Sequence, residues 1–405
     1  MTQHLKCDLM GIIPYGKQDI TDEDITSVIE VLKSDFLTQG PKIREFEEAF
    51  SKYVSSKYAV AVSNGTAALH LSCLSIGLKK GDKVITSTLT FSASANCALY
   101  CGAEVIFSDI DSKTYLLDLN FVEDVLRKDK KNSVKAIIPV NFAGLPVDIE
   151  ALSSICEKRG VKIIEDACHA PGGYFYNKNK TLQLCGNGNY SDATIFSFHP
   201  VKHIATGEGG MITTNNDVIY KKAINLRSHG ITKISSEFQR TAKGINVGIV
   251  DESYPAWYME MQSLGFNYRL SDISAALGLS QLSRAKKMLL KRIFIANRYY
   301  NELKDLEEIV VQNPSLFEGH AYHLFVIQAK KRNELYAFLR EKKILTQVHY
   351  IPVHMMPFYV KRNGLVSLKN AEAYFKECLS LPMYPTLKNE EQTYVIDSIK
   401  NLQDG

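Results

Sequence analysis

Two residues with the chemistry of a catalytic pair stand directly after apolar runs near the middle of the chain. Asp166 closes the run that begins at Ile163, and Lys202 follows a later run in a loop of apolar and glycine residues. A carboxylate is rarely buried without a cationic partner, and a lysine in a dry pocket has a lowered pKa and attacks aldehydes. Each residue also has a plainer interpretation, a structural ion pair for the aspartate and a solvated loop for the lysine.

A third candidate is the turn Ser63-Asn64-Gly65-Thr66, which follows an apolar run and opens a predicted helix. The free N–H groups and positive dipole end of a helix bind phosphate. Gly65 allows close approach of the backbone, and Thr66 adds a hydroxyl. The alternative is a capped helix with nothing bound. The turn lacks the Gly-x-x-x-x-Gly-Lys-Ser/Thr pattern, so a nucleotide-triphosphate loop is disfavoured.

The combination is more specific than any of its parts. Pyridoxal phosphate needs a phosphate site, a lysine that forms a Schiff base with its aldehyde, and a carboxylate that keeps its pyridine nitrogen protonated. The turn at Gly65, Lys202 and Asp166 supply these three functions. The sequence therefore predicts a pyridoxal-phosphate enzyme.

Other patterns in the chain favour no metal or dinucleotide site. His199 and His203 have four-residue spacing but do not form a His-Glu-x-x-His motif, and the glycines after Gly207 do not form Gly-x-Gly-x-x-Gly. No Cys-x-x-Cys occurs among the eight cysteines. Cys97 and Cys101, four apart on a predicted helix, are interpreted as small core residues.

The composition is that of a globular protein with two or three domains. Of 405 residues, 45% are hydrophobic and 23% charged, and the formal net charge is +4. Such a small net charge does not favour nucleic acid as a partner. No run of eighteen apolar residues or signal-peptide pattern is present. We therefore expect a cytoplasmic location with no membrane partner.

The elements that must position these residues form an alternating pattern. Short runs rich in valine and isoleucine alternate with amphipathic segments such as Phe121–Lys128 and Ile149–Lys158, which predicts a mostly parallel α/β sheet. Its strands are predicted at Tyr58–Val62, Lys83–Ser87, Val105–Ile110, Val134–Val140, Val161–Asp166, Ala193–Phe198 and Gly210–Thr214. The candidate residues follow strands of this set, where active sites of open α/β sheets lie.

Two domains are predicted. Residues 1–265 comprise the N-terminal segment, with a helix at Asp22–Lys33 that Thr21 caps, and the large cofactor-binding domain. Within them, Ser228–Gly265 is expected to form a long excursion. The capped helix start at Gly265–Asp272 crosses the boundary into residues 266–405. Two long helices, Ser271–Leu282 and Ala285–Leu306, and a smaller α+β C-terminal domain follow.

Beyond the cofactor residues, three segments carry a family resemblance. They are Asp35-Phe36-Leu37-Thr38-Gln39-Gly40-Pro41, Ser197-Phe198-His199-Pro200-Val201-Lys202 and Gln347-Val348-His349-Tyr350-Ile351-Pro352. With the turn at Gly65 and Asp166, they identify the chain as similar to the DegT/DnrJ/EryC1/StrS sugar-nucleotide aminotransferases. The likeness extends from about Ile13 to the C-terminal region and is strongest to members acting in pseudaminic acid biosynthesis, a route to surface polysaccharides. It implies the aspartate-aminotransferase fold, pyridoxal phosphate fold type I, with a seven-stranded sheet.

The resemblance also implies roles for individual residues. Lys202 would be catalytic and hold pyridoxal 5'-phosphate as a covalent Schiff base. The other expected cofactor contacts are Gly65, Thr66 and Ser197 at the phosphate, Asp166 at the pyridine nitrogen, Phe91 stacked on the ring, His169 near the phenolic oxygen, and Asn267 reaching the phosphate from the neighbouring subunit of a homodimer. Substrate would contact Tyr15, Asp35, Phe36, Leu37, Thr38, Gln347, Val348, His349 and Tyr350.

The implied reaction moves an amino group from L-glutamate to C4 of a UDP-linked 4-keto-6-deoxy-N-acetyl-hexosamine. Two alternatives stay open: an aminotransferase for another nucleotide-linked 4-keto sugar, and a non-catalytic pyridoxal-phosphate-binding regulator on the same fold. A pyridoxamine-phosphate sugar dehydratase is disfavoured because those family members replace the lysine by histidine, whereas Lys202 is present.

Overall fold

The computed structural model describes residues 11–240, 254–313, 316 and 318–403, so residues 241–253 of the predicted excursion lie outside the described residues. The strands are β1 Tyr58–Val62, β2 Lys83–Ser87, β3 Glu104–Ser108, β4 Val134–Ile138, β5 Lys162–Asp166, β6 Tyr174–Tyr176, β7 Leu182–Leu184, β8 Ala193–Ser197, β9 Gly210–Thr214, β10 Ile231–Thr232, β11 Glu260–Met261, β12 Ile309–Val311, β13 Phe325–Ala329 and β14 Cys378–Leu381. The α-helices are α1 Asp22–Leu32, α2 Pro41–Val54, α3 Gly65–Ser75, α4 Ala93–Tyr100, α5 Leu119–Lys128, α6 Ile149–Glu157, α7 Asp217–Arg227, α8 Asp272–Ser283, α9 Ala285–Leu303, α10 Arg332–Glu341, α11 Pro357–Asn363, α12 Lys369–Glu377 and α13 Asn389–Gln403.

The main sheet has seven strands in the order β1-β9-β8-β5-β4-β2-β3. Only β9 runs antiparallel to its neighbours, β1 and β8, and the other pairs are parallel. This confirms the predicted mostly parallel sheet. The carboxyl ends of β1, β5 and β8 therefore lie at one edge, which brings the turn at Gly65, Asp166 and the loop of Lys202 together.

Both faces of this sheet are covered, as the near-continuous apolar strands require. In β1, Val60 and Val62 pack in one apolar cluster, and Ala59 and Ala61 pack in another on the opposite face. β4 ends at Ile138, earlier than predicted. Pro139 follows and has no N–H for the strand ladder.

The first helix begins at the residue that the capping pattern indicated. The Thr21 hydroxyl accepts a hydrogen bond from the N–H of Asp24, and the Asp24 carboxylate accepts one from the N–H of Thr21. Asp24 is fully buried and also pairs with Arg284 at 2.6 Å. The cap thereby joins α1 to the segment between the two long helices α8 and α9.

A second, smaller sheet holds the C-terminal part of the chain. Strands β12, β13 and β14 are antiparallel in that order. The N-terminal segment joins this unit, since Ile13 forms a parallel bridge with Ile344 and packs in the same apolar cluster. The domain boundary near residue 265 stays a prediction. In the described part of the chain, every helix is too short or too polar to cross a bilayer.

Candidate active site

Lys202 lies in the loop between β8 and β9, and its backbone N–H closes a turn onto the carbonyl of His199 at 2.8 Å. Its Nζ is 3.4 Å from Nε2 of His323. Burial lowers the pKa of Lys202, and the positive charge of Arg292 acts in the same direction, whereas Cys168 and Asp166 oppose the shift. A lysine with a lowered pKa supplies the neutral amine that attacks an aldehyde.

Asp166 ends β5 with its carboxylate held by two donors. Oδ2 accepts from the Ser94 hydroxyl at 2.7 Å, and Oδ1 accepts from the N–H of Cys168 at 3.1 Å. Glu165, on the other face of the strand, accepts instead from Asn141 and Thr194. Burial raises the pKa of Glu165. Of the two adjacent carboxylates, Asp166 is therefore the one directed towards the site of Lys202.

The turn at Gly65 is packed tightly against the end of β8. Asn64 caps α3 by accepting from the N–H of Ala67 at 2.8 Å. A Cβ added at Gly65 would lie 3.1 Å from Cβ of Ser197, and one added at Gly210 would lie 2.5 Å from the carbonyl oxygen of Asn64. The first N–H groups of α3 have no partner within their helix. Together with the Thr66 and Ser197 hydroxyls, they form a cradle suited to phosphate.

Buried imidazoles border the lysine on its other side. The ring of His169 lies 4.3 Å from that of His323, and its Nε2 is 3.3 Å from the hydroxyl of Tyr350. Burial, followed by the nearby Lys202 charge, lowers the pKa of both histidines well below 6.5. Both rings are therefore neutral at physiological pH. Nδ1 of His169 is buried and has no hydrogen-bond partner among the described residues.

Part of the predicted substrate set lies next to these imidazoles. The rings of Tyr15 and His349 are 5.4 Å apart, and Tyr350 contacts His169. Gln347 is exposed and pairs through its backbone with Ser380, while Val348 packs against apolar core residues. Within the segment from Gln347 to Tyr350, the two consecutive residues His349 and Tyr350 therefore lie towards the site, whereas Gln347 and Val348 do not.

The remaining predicted residues lie elsewhere on the surface. Phe91 is 62% exposed, and Asn267 and the loop Asp35–Thr38 are exposed as well. That loop packs on the start of α8, where Thr38 bridges Ser271. Among the described residues, no hydrogen bond or ring contact joins these side chains to Lys202, Asp166 or Tyr350. One chain therefore brings together only part of the predicted site.

Three residues at the site were missed by sequence reasoning. Ser94 lies in a polar segment but had no assigned partner, His323 stands alone before β13, and Arg292 is one of several basic residues on α9. Arg292 is 1% exposed and donates to three backbone carbonyls, those of Tyr322, His323 and Met383. The one signal in the sequence was a histidine directly before the apolar run that the structure shows to be β13, a common position for core residues.

These side chains fit pyridoxal phosphate. The cradle at Gly65 matches a phosphate, the fixed carboxylate of Asp166 matches a cationic ring nitrogen, and the amine of Lys202 matches an aldehyde. Within the described ranges, no cluster of three or more histidine, cysteine or acidic side chains could hold a metal ion. The arrangement thus favours cofactor chemistry of the aldehyde–amine type.

Comparison with known proteins gives a family match over most of the chain. The pattern of the DegT/DnrJ/EryC1/StrS aminotransferase family matches residues 18–400. The spore coat polysaccharide biosynthesis protein SpsC of Bacillus subtilis is 36% identical over 402 residues, 97% of each chain. The UDP-4-amino-4,6-dideoxy-N-acetyl-beta-L-altrosamine transaminase of Campylobacter jejuni is 34% identical over 393 residues, 96% of each chain.

Solved structures agree in fold over nearly the whole length. Helicobacter pylori PseC, an aminotransferase involved in the biosynthesis of pseudoaminic acid, superposes with a TM-score of 0.85 at 29% identity and covers 97% of this chain and 100% of its own. The pyridoxal-phosphate form of a sugar aminotransferase described as putative, Spr1654 of Streptococcus pneumoniae, has the same TM-score at 28% identity, and the match covers 97% of this chain and 99% of that one. A structure with the cofactor therefore exists for the same architecture.

Proposed function

This chain belongs to the DegT/DnrJ/EryC1/StrS aminotransferase family, and we propose that it moves an amino group from L-glutamate to C4 of a UDP-linked 4-keto-6-deoxy-N-acetyl-hexosamine. The family and the relatives make it a pyridoxal-phosphate-dependent sugar aminotransferase. The choice of sugar, and a place in pseudaminic acid biosynthesis, are supported by the two relatives whose names specify altrosamine and pseudoaminic acid.

The observation that carries the proposal is the lysine of lowered pKa beside a fixed carboxylate. When bound, pyridoxal phosphate supplies an electrophilic aldehyde carbon and an electron-withdrawing pyridinium ring. Lys202 would be its covalent attachment point, and Asp166 would hold the proton on the ring nitrogen. Once released, Nζ of Lys202 would move the proton between the substrate carbon and the cofactor carbon as base and then as acid.

The other residues would bind and orient. Gly65, Thr66 and Ser197 would hold the phosphate, and the unpartnered Nδ1 of His169 leaves a polar atom for the phenolic oxygen. Phe91, exposed in a single chain, would cover the ring. Tyr15 and the segment from Gln347 to Tyr350 would form one wall of the sugar-nucleotide site.

The exposed residues are explained by a homodimer with shared active sites. Asn267 and the loop Asp35–Thr38 are both exposed, and the loop lies against the segment that follows Asn267, because Thr38 bridges Ser271. We propose that both complete the site of the neighbouring subunit, with Asn267 at the phosphate and the loop at the sugar nucleotide. A C2 interface places the same surface of each subunit at the site of the other.

The test is the absorbance spectrum of the purified protein before and after addition of L-glutamate. We expect a visible band of lysine-bound cofactor that bleaches with glutamate and returns on addition of the correct UDP-4-keto sugar. Lys202→Ala should lose both the band and turnover while retaining loosely bound cofactor. Lys400→Ala, which removes only a surface ion pair with Glu302, is the matched control.

The outcomes separate the alternatives. No visible band after addition of pyridoxal phosphate would overturn the cofactor assignment. Bleaching that only a different nucleotide-linked 4-keto sugar reverses would favour the second aminotransferase hypothesis. A band that no amino donor changes would favour a regulator that binds the cofactor without turnover.

A further inference from the structure

His323 is the one side chain that hydrogen-bonds the Lys202 amine among the described residues, with Nε2 3.4 Å from Nζ. It is 5% exposed, stands at the entrance to β13 and belongs to none of the three segments that carry the family resemblance. Its contact with the amine needs an explanation, because a buried imidazole that serves only packing has no reason to meet the lysine head group.

The direction of this hydrogen bond follows from charge. Burial, and next the charge of Lys202, lowers the pKa of His323 well below 6.5, so the ring is neutral. A lysine ammonium only donates. When Lys202 is protonated, Nε2 must therefore be the acceptor and the ring proton must reside on Nδ1. In the same tautomer, the neutral amine still donates one hydrogen and keeps its lone pair free.

The backbone of His323 is fixed from two sides. Arg292 donates through Nη1 to the carbonyls of Tyr322 at 3.2 Å and His323 at 3.3 Å. On the other side, a Cβ added at Gly144 would lie 2.8 Å from the backbone nitrogen of Tyr322 and 3.0 Å from that of His323. The two backbone segments are therefore in direct contact there. Among the described residues, no carboxylate forms an ion pair with Arg292. A buried cation of this kind is costly, and its contacts here serve the backbone that carries His323.

We infer that His323 is a positioning residue for the aminotransfer reaction. Its Nε2 accepts a hydrogen bond from the Lys202 amine and so directs the lone pair of that amine towards the reacting carbon. The inference rests on the proposed function of Lys202. His323 is not the base itself, because a ring of such low proton affinity would not retain the proton. The Lys202 amine remains the group that carries the proton, and His323 fixes the position of that amine before it reacts.

Other charged and titratable groups face Lys202 and His323, and any test must leave these neighbouring residues unchanged. Asp166 and Cys168 at the end of β5 and Arg292 from α9 act on Lys202. His169 and His203 face His323, with ring centroids at 4.3 Å and 5.8 Å. Nε2 of His203 is 2.8 Å from the carbonyl of Ala321, which only accepts, so its proton is on Nε2. Among the described residues, neither of these rings hydrogen-bonds the Lys202 amine.

The experiment measures how the reactivity of the Lys202 amine depends on pH, in the absence of any amino donor or sugar. Cofactor-free protein is mixed with pyridoxal phosphate, and the rate of covalent capture is followed by absorbance from pH 6 to pH 10 for wild type, His323→Leu and His323→Gln. Loss of the acceptor destabilises the ammonium, so we expect the midpoint of the rate profile to fall by about one pH unit in His323→Leu. The glutamine carbonyl accepts the same hydrogen, so His323→Gln should return the midpoint to within about 0.3 units of wild type.

A second readout tests positioning. The rate of cofactor bleaching by saturating glutamate should fall about tenfold in His323→Leu, as expected for loss of one hydrogen bond to a charged group. His320→Gln is the matched control, because His320 is buried three residues earlier, stacks on Tyr322 with ring centroids 4.0 Å apart, and makes no hydrogen bond or ring contact with Lys202 among the described residues. Its midpoint and bleaching rate should match those of wild type.

Two results would overturn the inference: an unshifted midpoint in a folded His323→Leu protein, or equal shifts in His323→Leu and His320→Gln. If glutamate bleaches no variant, including wild type, the proposed donor is wrong, and the capture profile still decides the role of His323. If capture itself fails in wild type, the proposed function of Lys202 fails first. Thermal unfolding of each variant identifies one that has not folded. If His323→Leu does not fold, His323→Phe, which keeps an aromatic ring but has no acceptor, carries the test with the same expected shift.

Discussion

Ser94 donates its hydroxyl proton to Oδ2 of Asp166 over 2.7 Å, which joins the first turn of helix α4 to the end of strand β5. Because Ser94 donates there, its oxygen accepts from the Thr90 hydroxyl at 2.8 Å. Phe91 lies between Thr90 and Ser94 on the turn that this second bond closes. One serine thus links the two residues expected at the pyridine nitrogen and at the ring face of the cofactor.

Ser94→Ala should therefore weaken cofactor binding. It removes one of the two hydrogen bonds that orient Asp166 and loosens the turn that carries Phe91. We expect the affinity for pyridoxal phosphate to fall about tenfold, the effect of one hydrogen bond to a charged group, measured by equilibrium dialysis. Ser72→Ala is the control, since that hydroxyl is also buried but has no partner among the described residues. Equal affinities for both variants would contradict the role of Ser94.

Gly144→Ala should disrupt the site and the fold around it. Gly144 has φ of +105°, and a Cβ there would lie 2.8 Å from the nitrogen of Tyr322 and 2.9 Å from the carbonyl oxygen of His169. Strain and overpacking act together, so we expect a loss of about 2–4 kcal/mol in unfolding free energy, measured by urea denaturation. Cofactor capture should slow in parallel.

Gly160→Ala separates these two causes. Gly160 also has a positive φ, +64°, but nothing lies within 4 Å of its added Cβ. Only the left-handed backbone is penalised there, at a cost of about 1 kcal/mol. If both alanine variants lost the same stability, close approach at Gly144 would not be what matters.

The sheet, and the gathering of Gly65, Asp166 and Lys202 at one edge of it, could be predicted because local pattern determines the strands. Apolar runs such as Ile163 to Asp166 mark buried parallel strands, and a parallel sheet necessarily gathers the residues that follow its strands. The predicted helix ends differ from the structure by up to three residues, as at Leu303 against Leu306, because tertiary packing decides where the last turn frays.

The residues that support the site, Ser94, Arg292 and His323, could not be predicted, because their contacts join distant parts of the chain. Arg292 reaches His323 from another element through backbone carbonyls, which no side-chain pattern records. Similarly, the exposed positions of Phe91 and Asn267 follow from the surface geometry of one subunit and not from their residue types. The prediction of a role for Asn267 came from family resemblance alone.

Cys101 should be the most readily alkylated of the described cysteines at neutral pH. A hydrogen bond from Cys73, helped by one from His70 and opposed by burial, lowers the pKa of Cys101 to about 6. Cys97 is buried, as its interpretation as a core residue predicted, whereas Cys101 is partly accessible. Because the thiolate is the reactive form above the pKa, its reaction with iodoacetamide should be half-maximal near pH 6.

Mass spectrometry of iodoacetamide-treated protein from pH 5 to pH 9 measures this rate peptide by peptide. Cys156 provides the internal reference, since burial raises its pKa to about 12 and it should stay unmodified in folded protein. A midpoint for Cys101 near pH 8.5, the value of an unperturbed thiol, would show that the Cys73 contact has no effect on acidity.

Shared active sites predict that two inactive variants restore activity in one dimer. Lys202→Ala removes the reactive amine, and Asn267→Ala removes the amide proposed to reach the phosphate of the neighbouring subunit. In a heterodimer of the two, the site around the intact Lys202 receives the intact Asn267 of its partner, while the other site lacks both. Heterodimers purified with two different affinity tags should therefore show about half the activity of wild type, since one site of two is complete.

A second heterodimer tests whether Asn267 acts in its own subunit or in the neighbouring one. Asn267 is exposed and has no contact with Lys202 within the described part of one chain, so the two substitutions should not compensate inside a single subunit. The double variant Lys202→Ala/Asn267→Ala, paired with wild type, has one intact residue of each kind on the same subunit. Each of its sites then lacks one of the two groups, so activity should stay at the level of the single variants. Half activity in the heterodimer of the double variant with wild type, and none in the heterodimer of the two single variants, would place Asn267 at the site of its own subunit and remove the reason for a shared one.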